Sequence, residues 1–165
     1  MFKGTYNHRI DPKGRLPVPA AFRRALAGTG APELVATPLD QCVAFYPRDE
    51  WTRLETQLRA LPAFSGPVKA LTRLLASRAV DCALDVQGRI LLPAALRAPA
   101  GLAHEVVVVG VLNRFEVWAP ETWNDFVRDS ERMLEDVSLD VQWPLLPPAP
   151  PTPSEPVRPQ AKPKR

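Results

Sequence analysis

From Thr5 to Ile10 the chain alternates, with Tyr6, His8 and Ile10 on one side and Asn7 and Arg9 on the other. A period of two predicts a half-buried strand. Asp11 to Gly14 predicts a turn, since Pro12 fixes φ and Gly14 accepts a positive φ. Arg15 to Val18 reads as a second short strand. Pro19 suits the first position of a helix that carries Ala20 to Leu26 and stops at Gly28. Glu33 to Thr37 and Cys42 to Tyr46 predict a strand pair around Asp40-Gln41. Pro47 opens a second helix, with Trp51, Leu54, Leu58 and Leu61 on one stripe at helical spacing. Leu61 to Pro67 breaks it, and Val68 to Ser77 predicts a third helix.

The pattern then starts again. Ala79 to Leu84 and Arg89 to Leu92 flank a turn at Asp85–Gly88, Pro93 starts a short helix, and Val106-Val107-Val108-Val109 reads as a buried strand paired with Arg114 to Trp118. Pro120 starts a last helix, expected to hold Trp123, Phe126, Val127, Leu134 and Val137 inside. The second pass also repeats residues. Asp11-Pro12-Lys13-Gly14-Arg15-Leu16-Pro17-Val18-Pro19-Ala20-Ala21-Phe22-Arg23 answers Asp85-Val86-Gln87-Gly88-Arg89-Ile90-Leu91-Leu92-Pro93-Ala94-Ala95-Leu96-Arg97, with seven of thirteen positions identical. The period, about seventy residues, exceeds the roughly 20–50 residues of a solenoid unit. A module of half this chain buries too little apolar surface to be comfortably stable alone. The expected fold is therefore α+β, mainly β, duplicated with pseudo-two-fold symmetry around one shared core.

Charge changes this picture in two places. The net charge of +3 belongs to the stretch from Trp143 to Arg165, because residues 1–142 hold 17 basic and 17 acidic side chains. Within that neutral body charge is segregated. Residues 1–24 carry Lys3, Arg9, Lys13, Arg15, Arg23 and Arg24 against Asp11 alone, whereas residues 121–140 carry seven acids against Arg128 and Arg132. One end attracts phosphate and the other repels it. From Trp143 onward nine prolines leave no periodicity, and a disordered or polyproline II tail is expected.

Candidate chemistry is sparse. Cys42 and Cys82 stand in no metal or redox spacing and are expected to be reduced core thiols. His8 and His104 lack further ligands at metal spacing, so neither a metal nor another cofactor is expected. No apolar stretch is long enough for a membrane span, and the first twenty residues lack the apolar core of a secretory signal. Asp11 and Asp85 each have an arginine four residues on, which holds a carboxylate ionised and unsuited to general-acid catalysis; no enzyme and no small-molecule substrate are expected. Asp-x-x-Gly-Arg has a plain reading as a turn, with Asp11, Gly14, Asp85 and Gly88 structural. The surroundings of the first copy add a functional one. Asn7, Arg9, Lys13 and Arg15 are expected at one hairpin end with Arg23 and Arg24 close behind. A two-stranded ribbon enters a major groove, where Arg reads guanine and Asn reads adenine, while Lys13 suits a phosphate. In the second copy Lys13 becomes Gln87, Arg24 becomes Ala98, and Asp81-Cys82-Ala83 replaces Asn7-His8-Arg9. The first copy is expected to dominate DNA contact, with Arg89 either structural or a weaker contact.

Met1 to Pro19, together with the Asp85–Pro93 element and Gly110-Val111-Leu112-Asn113-Arg114-Phe115-Glu116-Val117-Trp118, resembles the MraZ family of bacterial transcriptional regulators over residues 1 to about 140. The resemblance implies tandem SpoVT–AbrB swapped-hairpin domains, β-barrel-like with peripheral helices. On this reading residues 5–50 are the first repeat, 51–78 connecting helices, 79–122 the second repeat, 123–142 a C-terminal helix and 143–165 the Pro-rich basic tail. It also implies a ring-shaped homo-oligomer on double-stranded promoter repeats upstream of a division and cell-wall gene cluster. It places the family's Asp-x-x-x-Arg motif on Asp11/Arg15 and Asp85/Arg89, and DNA contacts on Arg15, Arg23 and Arg24. The expected function is a cytoplasmic, nucleoid-associated repressor. The rivals are an antitoxin-like module of the same fold and a non-DNA scaffold acting through its Pro-rich tail.

Overall fold

The computed structural model describes residues 1–28, 33–62 and 64–136. The tail, and Val137 with it, lies outside the described residues. Met1–Asp129 form one compact unit. The element order is β1 (Phe2–Arg9), β2 (Arg15–Pro17), α1 (Ala20–Ala27), β3 (Glu33–Leu39), β4 (Cys42–Pro47), α2 (Arg48–Ala60), α3 (Gly66–Arg78), β5 (Val80–Ala83), β6 (Arg89–Leu91), α4 (Ala94–Arg97), β7 (Glu105–Leu112), β8 (Arg114–Trp118) and α5 (Pro120–Asp136). Pro19, Pro47 and Pro93 cap their helices from one residue before the first turn, with φ between −50° and −59° and ψ between 139° and 148°. Gly28 ends α1 in right-handed helical geometry and not in the left-handed cap expected of glycine. α4 has only four residues; Ala98 after it keeps right-handed helical geometry, but Pro99 has no N–H with which to continue the hydrogen-bond ladder.

Six strands form one antiparallel sheet in the order β1-β7-β8-β4-β3-β5, and β2 and β6 form a separate two-stranded ribbon. The halves are interleaved. β1 pairs with β7 over its whole length, β5 pairs with β3, β2 with β6, and β4 with β8. Exchanging the halves turns the sheet order into its own reverse.

The interleaving produces one core. Phe2, Leu16, Phe22 and Leu26 from the first half share it with Ile90, Leu96, Val106 and Phe115 from the second. Phe45 and Phe115, opposite each other on β4 and β8, stack with centroids 5.0 Å apart. Phe2 and Tyr6 of β1 meet Phe22 of α1 edge-on at 5.3 and 5.2 Å. On the other face of the sheet, Val35, Ala44 and Tyr46 pack with Trp51 of α2, and Val107, Val109 and Trp118 with Trp123 of α5. Glu116, buried between β8 neighbours, accepts hydrogen bonds from Arg114 Nε at 2.8 Å and Trp118 Nε1 at 3.1 Å.

The apolar stripe of α5 is not interior as expected. Trp123 is half-buried, but Phe126 is 48% exposed and Leu134 73% exposed. Trp118 and Trp123 pack against the Phe126 ring, with centroids at 5.1 and 5.7 Å. A helical moment specifies a face without specifying what covers it.

Close approach of β1 to β7 depends on Gly110, which faces Gly4 across the ladder. A Cβ at 110 would lie 2.3 Å from Lys3 N and 2.6 Å from Lys3 Cα, both backbone atoms that no rotamer change can move aside. Gly110→Ala is therefore expected to destabilise the chain by about 1–3 kcal/mol through overpacking. Gly66→Ala, where a Cβ would meet no described atom within 4 Å beyond its own chain neighbours and helix backbone, is the control. Equal denaturation midpoints for the two variants would contradict this packing.

Candidate nucleic-acid interface

The chemistry concentrates at the β2–β6 ribbon and its two turns. Each turn is closed by an aspartate whose Oδ1 accepts two backbone amides. Asp11 takes Lys13 N at 2.8 Å and Arg15 N at 2.9 Å; Asp85 takes Gln87 N at 2.8 Å and Arg89 N at 3.0 Å. Gly14 and Gly88 adopt φ of +82° and +72°, the left-handed region that a Cβ strains. The turns are also fastened to each other's halves: Leu92 N donates to Gly14 O at 2.8 Å, and Val18 N to Gly88 O at 3.0 Å.

Within the ribbon Arg15 faces Leu91, Leu16 faces Ile90, and Pro17 faces Arg89. Period two sends Leu16 and Ile90, both fully buried, into the core, leaving Arg15, Pro17, Arg89 and Leu91 outward. The ribbon thus presents two arginines on diagonal positions, one from each half. Leu91, 59% exposed, belongs to this surface although the sequence reading did not single it out. Its signal was the alternation Arg89-Ile90-Leu91.

The two arginines differ in freedom. Arg89 is fixed to Asp85, with Nε and Nη2 at 2.8 and 2.7 Å from Oδ2. Arg15 Nε stands 3.9 Å from Asp11 Oδ2, so its guanidinium keeps its donors available. Both carboxyls are held below the usual range. For Asp85 the leading cause is the Arg89 side-chain hydrogen bond; for Asp11 it is the Arg15 backbone amide, with the Arg15 and Arg89 charges adding to it. The plain and the functional readings of Asp-x-x-Gly-Arg therefore share one element.

The other expected contacts fall in two groups. Lys13, Arg23 and Arg24 are exposed, and none forms an ion pair among the described residues. Arg23 reaches across the second turn: a Cβ at Gly88 would lie 2.4 Å from its Cδ. Asn7 and Arg9 stand apart. β1 and β2 do not form the expected two-stranded hairpin, because β1 is taken up by β7 and β2 by β6. Asn7 and Arg9 face Val107 and Glu105, and partners across a ladder share a sheet face. They therefore lie on the α5 side, opposite Tyr6 and Ile10, where they line an open groove with Pro17 and Pro120. Arg9 is already paired with Glu105 at 3.1 Å. Asp81, which stands in the second copy where the first has Asn7, is paired with Arg48 at 2.9 Å.

Remaining candidate groups carry no site. Cys42 and Cys82 are buried and free. Burial pushes the Cys82 thiol up to about 11 and the Cys42 thiol higher still, away from thiolate chemistry. His104 Nδ1 donates to Ile10 O at 2.9 Å, a structural tie. Among the described residues no cluster of three His, Cys, Asp or Glu could hold a metal, and no helix is long and apolar enough to cross a membrane.

The lowered carboxyls set an acid limit on the turns. A depressed carboxyl contributes stability that is complete above the unfolded value, here 3.8, and is lost as pH falls through the lower folded value. Carboxyl carbon titration by NMR should give Asp11 and Asp85 midpoints below 3.8, and Arg89→Ala should raise that of Asp85. A midpoint at or above 3.8 in the folded chain would contradict the geometry.

Comparison with known proteins bears on the whole of this arrangement. A family model described as "MraZ protein, putative antitoxin-like" matches twice, over residues 1–74 and 75–140. The chain is 43% identical over 144 residues to the transcriptional regulator MraZ of Limosilactobacillus reuteri (strain DSM 20016), covering 85% of this chain and 99% of that protein. It is 49% identical over 131 residues to the transcriptional regulator MraZ of Desulfitobacterium hafniense (strain Y51), covering 79% of this chain and 90% of that protein. A 41% identity over 142 residues links it to the same-named regulator of Natranaerobius thermophilus, covering 86% of this chain and 96% of the relative. With both halves matched by one family model and relatives this similar across most of their length, the chain belongs to the MraZ family.

Proposed function

We propose that this protein is a sequence-specific regulator of transcription that binds double-stranded DNA through the outward face of the β2–β6 ribbon. The observation that carries the proposal is the pair of diagonal arginines, Arg15 and Arg89, with Lys13 in the first turn and Arg23 over the second, neither of them ion-paired among the described residues. A ribbon of this width fits a major groove. Arg15, loosely held, reads a base edge; Lys13 at the turn tip, with Arg23 and Arg24, holds phosphates and sets register. Asn7 and Arg9, in the groove they share with Pro17 and Pro120, act as secondary contacts. No step of this function calls for catalysis or a cofactor. The reading agrees with the similar proteins, which are named transcriptional regulators. By the family resemblance it extends to a cytoplasmic, nucleoid-associated repressor of its own division and cell-wall cluster.

The same proposal includes two interleaved SpoVT–AbrB swapped-hairpin repeats, 5–50 and 79–122, joined by 51–78 and followed by the helix region 123–142. The self-reversing sheet order and the double family match support it. It also includes a ring-shaped homo-oligomer on spaced promoter repeats. Two oppositely charged faces support that part. α3 carries Lys69, Arg73 and Arg78 with no acid and leaves Leu71 and Leu74 exposed. The first half of α5 carries Glu121, Asp125 and Asp129 against Arg128, which pairs with both aspartates and leaves the stretch net acidic, beside the half-bare Phe126. A contact between two different faces is head-to-tail, and it forms a ring where the rotation between subunits closes. The family description keeps the antitoxin-like module as the second reading.

Arg15→Ala should cost about 1–3 kcal/mol per engaged subunit and abolish operator binding through lost avidity, with native circular dichroism. Lys13→Ala should instead weaken binding to all sequences alike and reduce the salt slope by about one. Wild-type operator affinity in Arg15→Ala would place the DNA face elsewhere. The oligomer is tested by light scattering of Lys69→Glu/Arg73→Glu. The expected result is a smaller species that binds one and several repeats about equally; an unchanged mass would remove this interface from the account.

A further inference from the structure

The two turns of the ribbon are each overlaid by an arginine from the other half. Arg23, on α1, lies across Gly88, where a Cβ would meet its Cδ at 2.4 Å and Nη1 at 2.5 Å. Arg97, on α4, lies across Gly14, where a Cβ would stand 3.4 Å from its Nη2 and 3.6 Å from its Cζ. Arg97 closes the second copy of the thirteen-residue repeat, as Arg23 closes the first. It was not among the expected contacts, because linear proximity assigns it to the less basic second turn.

Its surroundings do not satisfy it. Arg97 is half-buried, and its Nε is buried with no acceptor among the described residues. It forms no ion pair among the described residues, whereas Arg15 and Arg89 each have their aspartate. The charges acting on Asp11 are those of Arg15 and Arg89, so the carboxylate of this turn is already committed. A partly buried guanidinium without a counter-charge is costly to keep, and is retained where an anion arrives from outside.

We propose that Arg97 is a phosphate-binding residue of the DNA face, delivered by the second half to the Lys13–Gly14 turn. The first turn then works with Lys13, Arg15 and Arg97, and the second with Gln87, Arg89 and Arg23. Each turn is a joint product of both halves, and the first is the more cationic because it combines a lysine with a crossing arginine. Phosphate is favoured over a base edge because Arg97 lies over the turn and not on the outward face of the ribbon, which the base edges meet. The inference rests on the DNA-face reading above.

The test is operator and random-sequence binding by the full chain across a salt series, with Arg97→Gln, Arg97→Lys and Arg15→Ala. Arg97→Gln should weaken both DNAs by the same factor and reduce the slope of log K against log[salt] by about 0.9 per engaged turn; Arg97→Lys should restore the slope. Wild-type affinity and slope in Arg97→Gln, with binding lost in Arg15→Ala, would overturn the role of Arg97 and leave the face intact. Normal binding by Arg15→Ala would fail the face itself. Reduced affinity with an unchanged slope would make Arg97 a brace and also overturn the proposal. Should Arg97→Gln not fold, arginine modification of the wild-type chain by phenylglyoxal decides. DNA should protect Arg97 as it protects Arg23, and an unprotected Arg97 would overturn the inference.

Discussion

The structure depends on the antiparallel pairing of two three-residue strands, β2 and β6, with Leu16 opposite Ile90 and both fully buried. Within its own half β2 is tied back by Asp11 N to Arg15 O, and β6 by Asp85 N to Arg89 O and one bridge from Leu84 to Ile90, whereas the three-residue ladder is formed across the halves. Pairing across halves fixes the two Asp–Gly turns at opposite ends of one ribbon and lets each donate or accept at the other's flank. It also lowers Leu16 and Ile90 into a core already shared by Phe22, Phe45 and Phe115. Truncating a buried leucine or isoleucine of this kind costs about 2–5 kcal/mol. Here the loss falls on both halves, since neither closes its own hydrophobic face.

This pairing also explains how two similar turns come to do different work. Their backbones match amide for amide and glycine for glycine. What differs is the hold on the arginine. Arg89 makes close contacts with Asp85, whereas Arg15 stands off Asp11 at 3.9 Å. A guanidinium already held by a carboxylate must give up that partner to meet DNA; one standing off has little to lose. The asymmetry of the charge sequence, Lys13 against Gln87, runs in the same direction.

Much of this was legible in the sequence because local rules decide it. Alternation placed Tyr6 and Ile10 opposite Asn7 and Arg9, Asp11 and Asp85 marked turns, and Gly14 and Gly88 marked positive φ. What failed was long-range. Three residues such as Arg15-Leu16-Pro17 carry no pattern that selects a partner, so β2 was read with its sequence neighbour β1. That reading put Asn7 and Arg9 on the DNA ribbon, whereas the pairing of β1 with β7 turns them toward the α5 side. The same exchange moved Arg23 onto the second turn and hid Arg97. The stripe of α5 was visible, but not that Phe126 would be half bare, because periodicity reports a face and not its cover.

Hydrogen exchange at the two amides that cross between halves, Val18 N to Gly88 O and Leu92 N to Gly14 O, tests the central claim most directly. If the β2–β6 pairing holds the two halves as one cooperative unit, both amides open only with global unfolding. They should then share the exchange free energy of the β7–β8 ladder and lose it together in Leu16→Ala. Exchange of Val18 and Leu92 at a much lower free energy than the β7–β8 amides, or separate responses of the two to Leu16→Ala, would contradict the account.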